Sequence, residues 1–156
     1  MEINFVKKDA FLICGYCIET TLEQNDNDVS ALYDDFFSSG KEAILMNLEG
    51  SKKGYYGLIW YTQGHEQYAY LFGVEVGRDN TVPEKAIFKE IPKTTYAVAH
   101  FPQGQDIIQA WTELFYNEIP KAGFEVDKKY NSYLEYYPGT IREGFELWVP
   151  VVKSEI

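Results

Sequence analysis

Cysteine, histidine and basic residues are the scarce types in this chain. Two cysteines and two histidines among 156 residues leave little for a metal centre. Zinc takes about four ligands, and only His65 and His100 are available to join Cys14 and Cys17. The cysteines stand as C-G-Y-C inside FLICGYCIE, an apolar, β-prone run in which residues three apart point to opposite faces. Neither a redox pair at a helix start nor a mutual disulfide is expected, and both are read as reduced packing residues of a cytoplasmic protein. Fourteen lysines and arginines face 24 acidic residues, a net charge of −10. That field repels a phosphate backbone and welcomes a cationic small molecule, so no nucleic acid partner is expected. Nowhere do 18 apolar residues stand together, and MEINFVKKDAF has no apolar stretch of signal length, so no membrane association is expected. Gly-rich phosphate loops and a Gly-x-Ser-x-Gly elbow are also missing. Nucleotide and serine chemistry are disfavoured, and no cofactor is implied.

The excess lies elsewhere. Thirteen Tyr, ten Phe and three Trp make 17% of the chain, within 46% hydrophobic content, enough to build one unstapled domain. The order of apolar patterns predicts an α+β fold. Residues 3 to 20 read as extended, interrupted at Lys7-Lys8-Asp9. A helix follows, capped at Asn27 or Asp28, with Val29, Leu32, Tyr33, Phe36 and Phe37 on one stripe, and it stops near Gly40. YYGLIWYT (55–62) and QYAYLFGVEV (67–76) predict a hairpin joined by QGHE, and RDNTVPEK a loop. The order then recurs: an extended segment broken at Pro92, a helix bearing Ile108, Trp111, Leu114, Phe115 and Ile119, and strands at 130–139 and 145–152. Sliding the chain by 79 residues lays Val29 on Ile108, Phe36 on Phe115 and Tyr55 on Leu134. Two pseudo-twofold strand, helix, strand, strand units, about 1–78 and 79–156, are thus expected to share one antiparallel sheet and leave a ligand groove between them.

Five short motifs in order carry a resemblance. They are the strand ending Gly73-Val74-Glu75-Val76, Ile91-Pro92 with Tyr96-Ala97-Val98, the helix around Trp111, Leu134-Glu135-Tyr136-Tyr137-Pro138, and Trp148-Val149-Pro150-Val151. In these the chain resembles the GyrI-like small-molecule-binding family, the effector-binding domain of AraC- and MerR-type bacterial regulators. The resemblance implies a stand-alone binder without a DNA reader, and it assigns ligand binding to the position of Glu135. Some relatives are described as binding drugs or toxins, some as inhibiting gyrase, and some as hydrolysing cyclopropane-containing compounds.

Strand alternation places Glu135 on one face with Tyr133 and Tyr137, a carboxylate between two rings. In an apolar groove its pKa should rise unless a cation offsets the desolvation, and ring faces add cation–π attraction of about 0.5–2 kcal/mol each. Glu146, sharing a face with Trp148, is a second candidate. If it lies beside Glu135, the two form a coupled acid–base pair suited to hydrolysing a strained electrophile. Tyr56 and Trp60 alternate on one face of their strand, and Tyr68, Tyr70 and Phe72 on one face of theirs. These, with Trp111, are the candidate groove walls. Phe36, Phe37 and Phe115 are assigned to the core, Glu75 to solvent, and His65 and His100 to no role. The reading is a binder of hydrophobic, cationic or planar compounds. The alternatives are a hydrolase of reactive toxins and an interaction module acting on gyrase or a regulator.

Overall fold

Two tight connections dictate the shape. In the computed structural model, which describes residues 2–63, 66–130 and 132–155, β1 (Ile3–Lys8) and β2 (Phe11–Thr21) are joined by Asp9 and Ala10 alone. Strands β5 (Ile87–Ile91) and β6 (Thr94–Phe101) are joined by Pro92 and Lys93. Yet the sheet runs β1-β6-β9-β8-β3-β4-β2-β5, with every pairing antiparallel. The remaining strands are β3 (Tyr55–Gln63), β4 (Gln67–Val76), β8 (Ser132–Tyr137) and β9 (Phe145–Lys153), and short β7 (Phe124–Val126) pairs with the end of β9. β1 and β2 are six strand spacings apart in that order. Flat, they would stand about 29 Å apart; a two-residue link spans at most about 11 Å. The sheet must curl, and across its far face Phe11 of β2 meets Trp148 of β9 with ring centroids 6.2 Å apart.

The strand order is symmetric about the central β3·β8 pair, with β1 and β5 exchanged so that each lies beside the other unit's strand. A uniform slide of 79 residues does not describe this symmetry. Tyr55 packs on the helix side of the sheet and Leu134 on the far side, because an odd offset reverses facing along a strand.

Helix α1 (Asn25–Ser38) begins three or four residues earlier than its sequence suggested, after Gln24. Asp28 caps nothing; it accepts a hydrogen bond from the Thr20 hydroxyl at 2.8 Å. Asp26 and Asp28 still favour that end through the helix dipole. Gly40, at φ +88°, breaks the winding, and a further short helix, α2 (Lys41–Met46), follows in a stretch that showed no clear period. Helix α3 (Ile107–Glu113) is capped by Asp106, which accepts from the Gln109 amide at 3.0 Å. It continues through a π turn (Leu114–Glu118) into α4 (Ile119–Lys121). Pro120 has no N–H to offer the Tyr116 carbonyl, and the winding loosens just there.

All the helices lie on one face. Leu32, Phe36, Leu45, Ala110, Leu114 and Ile119 bury themselves against Cys14, Phe72, Val74, Ala97 and Leu147. The far face has no helix over it, and the curl lets Ile13, Leu58, Leu71, Ile91, Leu134 and Trp148 bury one another. Phe37 departs from its expected core place and is 40% exposed, and Cys17 is exposed rather than packed. No described helix is long and apolar enough to cross a membrane. His65 lies outside the described residues.

Candidate functional site

Helix α1 packs over β2 and β4, and α3 leans its aromatic stripe on Tyr133 of β8, with Trp111 and Phe115 at 6.2 and 5.1 Å from that ring. The central pair β3·β8 is therefore left open between the helices. Over it lies a groove of two contiguous lobes, about 350 and 310 Å³, each bordered by Ile59, Tyr68, Ile107, Ile108 and Glu135. The first lobe adds Tyr33, Tyr70 and Tyr137, and the second Trp111, Phe115 and Tyr133.

Glu135 is on the floor, 5% exposed. Opposite it on β3 is Gly57, where an added Cβ would fall 2.7 Å from a Glu135 carboxylate oxygen and closer still to the Tyr70 hydroxyl. The missing side chain is what gives the carboxylate its room. Tyr70 and Tyr137 donate to Glu135 Oε1 at 2.8 and 2.9 Å, and the Trp111 side chain nearby also favours the ionised form. The Tyr33 and Tyr70 hydroxyls are 2.6 Å apart, so α1 joins the same network. None of the ion pairs among the described residues includes Glu135. Burial pushes its pKa up to about 6, and the bonds from Tyr70 and Tyr137, with the neighbouring Trp111 side chain, hold it from rising further. Burial and the nearby carboxylate hold the Tyr70 and Tyr137 phenols far above the ordinary tyrosine range, so both remain neutral donors. The arrangement is an anion with donors already in place and no countercharge among the described ion pairs, in a ring-lined recess. It suits an organic cation.

Seven of the candidate residues lie on this side: Glu135, Tyr133, Tyr137, Tyr68, Tyr70, Trp111 and Phe72. Phe72 is fully buried beneath Tyr33 and Phe36 rather than lining the groove. The other four, Glu146, Trp148, Tyr56 and Trp60, are corrections. In the register of β8 and β9, Glu135 pairs with Leu147, and Glu146 pairs with Tyr136. Glu146 therefore projects to the opposite face, where it accepts from the Trp148 indole at 2.9 Å, and no two-carboxylate acid–base pair forms. Tyr56 and Trp148 belong to the far-face core with Trp60 packed against it. The ring contacts there include Tyr56 to Tyr136 at 4.7 Å. Tyr33, Ile59, Ile107 and Phe115 were not singled out as groove residues. For Tyr33 a signal existed, since a lone hydroxyl on an otherwise apolar helical stripe calls for a buried partner. No group of three His, Cys, Asp or Glu among the described residues is placed to hold a metal ion.

Residues 4–151 match Cass2, the integron-associated effector binding protein family. The chain belongs to that family. No curated protein was found to match it. Among solved structures, SAV2435 bound to tetraphenylphosphonium superposes with a TM-score of 0.75 at 17% identity, over 97% of this chain and 94% of that one. The Cass2 integron cassette protein of Vibrio cholerae gives 0.67 at 16% identity, over 96% and 95%. The EcmrR C-terminal domain gives 0.65 at 13%, over 98% of each. The chain thus has the GyrI-like effector-binding fold that its motifs resembled.

Proposed function

We propose that this protein captures lipophilic, planar or bulky organic cations in the groove between α1 and α3, with Glu135 as the charge partner. The observation that carries the reading is the Glu135 carboxylate, 5% exposed, bonded by two tyrosines and without a cationic neighbour among the described ion pairs. A buried charge of this kind is costly unless paired, so a positive ligand recovers free energy that the empty protein lacks. Trp111, Tyr133 and Tyr68 supply ring faces on which a delocalised cation can lie. Membership of an effector-binding family and a fold shared with a tetraphenylphosphonium-bound relative support the same reading.

Calorimetric titration with tetraphenylphosphonium tests it. Saturable 1:1 binding is expected, weakened by about 2 kcal/mol or more, roughly thirtyfold, in Glu135→Gln. Equal affinity in the two proteins would remove the charge role.

A further inference from the structure

The groove does not end at Tyr33. Beyond that ring, between α1, α2 and the turn at residues 140–142, lies a larger cavity of about 730 Å³. Tyr33 and Ile141 belong to the walls of both spaces, so one tyrosine and one isoleucine partition them.

The second chamber has a carboxylate of its own. Glu42, in the first turn of α2, accepts a hydrogen bond from the Tyr55 hydroxyl. Burial, and then Glu42 itself, push the Tyr55 phenol up to about 12, so it remains a donor and keeps Glu42 oriented. Asp34 of α1 faces the same space, and the Phe37 and Tyr55 rings, 5.5 Å apart, form an apolar wall. From the third side comes Arg142, so two carboxylates confront one guanidinium. Lys41, next to Glu42 in sequence, does not contribute: it pairs with Asp35 and lies 4.8 Å from the centre of the Tyr16 ring, in a different recess. The strand positions that support the two anionic points are close in the fold. Gly57 of β3 stands opposite Glu135, and Tyr55, which holds Glu42, is two residues along the same strand. That is about 7 Å of backbone.

We propose that the joined chambers accept an elongated dication, with one positive centre at Glu135, the other at Glu42, and its linker passing Tyr33 and Ile141. This rests on Glu135 being the seat of the first charge. A monocation leaves Glu42 and Asp34 to water, and a ligand with an anionic tail meets Arg142 only at the expense of facing both carboxylates.

The test is a series of bis-quaternary ammonium compounds with aromatic head groups and increasing linker length, titrated calorimetrically against the full chain. The monocationic half-molecule serves as reference. At an optimal length the dication should bind about tenfold tighter than its half-molecule, a difference of about 1.4 kcal/mol. Glu42→Gln should bring the dication to within about twofold of the half-molecule while leaving the half-molecule's affinity unchanged, which also reports that the variant is folded. Asp34→Asn, on an exposed position, should reduce the advantage by a smaller factor. The proposal is overturned if the half-molecule binds and no length improves on it, or if the advantage survives in Glu42→Gln. It is also overturned if a half-molecule bearing a carboxylate tail binds tighter than any dication. Failure of every cation, half-molecule included, would instead remove the Glu135 reading beneath it.

Discussion

Replacing Glu135 by glutamine removes a charge while keeping an oxygen that Tyr70 and Tyr137 can bond, and its consequences depend on pH in a calculable way. Burial lifts the folded-state pKa of this carboxyl from its ordinary 4.5 to about 6. The folded protein therefore holds the proton more tightly than the unfolded chain. Its contribution is fully present below pH 4.5, declines as pH rises through 6, and at pH 7 leaves the empty protein less stable by about 2 kcal/mol than at low pH. For a chain of this length that corresponds to about 4–8 °C in Tm. Thermal unfolding of parent and variant between pH 4 and pH 8 should show the parent losing this much relative to Glu135→Gln across the window. Binding of a permanent cation runs the other way. The ionised carboxylate is the binding form, so affinity should rise with pH, level off above about 6, and be about tenfold weaker at pH 5 than at pH 7.5. Uptake at pH 5 should release close to one proton, measurable as a buffer-dependent calorimetric enthalpy. A flat affinity profile in the parent, or the same slope in Glu135→Gln, would refute the argument.

Three other substitutions have definite outcomes. Tyr70→Phe removes one of the bonds that hold the Glu135 pKa down, so the pH midpoint of cation binding should move upward, read in the same titration. Gly57→Ala drives a methyl into the Tyr70 hydroxyl and the Glu135 carboxylate, and affinity for tetraphenylphosphonium should fall at least about tenfold; unchanged binding would mean that the floor of the groove is not the seat of the charge. Glu146→Ala removes the acceptor of the Trp148 indole on the opposite face, and should cost about 1–3 kcal/mol in stability by denaturant unfolding while leaving cation affinity within twofold; a large loss of affinity would contradict the strand register.

Glu135 was legible because a polar residue between two tyrosines on a strand can be placed by alternation alone, and the rings at 68 and 70 followed by the same rule. The strand at 55–63 was not. Tyr55, Gly57, Ile59 and Tyr61 form one face, and Tyr56, Leu58 and Trp60 the other. Since the curled sheet buries both, neither set is polar and the period carries no sign of which looks toward the helices. Helix α2 was invisible for another reason. KEAILM is too short for a stripe to repeat, and only the left-handed Gly40 before it marks a new start. Tyr33 joined the site through a hydroxyl whose partner, Tyr70, is 37 positions away in the chain, a proximity that no local pattern encodes.

The exchange of β1 and β5 across the sheet ties the two units together like clasped hands. Each lends its opening strand to the other, so an excised unit would lose a neighbour along one edge and carry a stray segment with nothing to lie against. The seam beneath the groove is thus formed by parts that cannot drift apart independently.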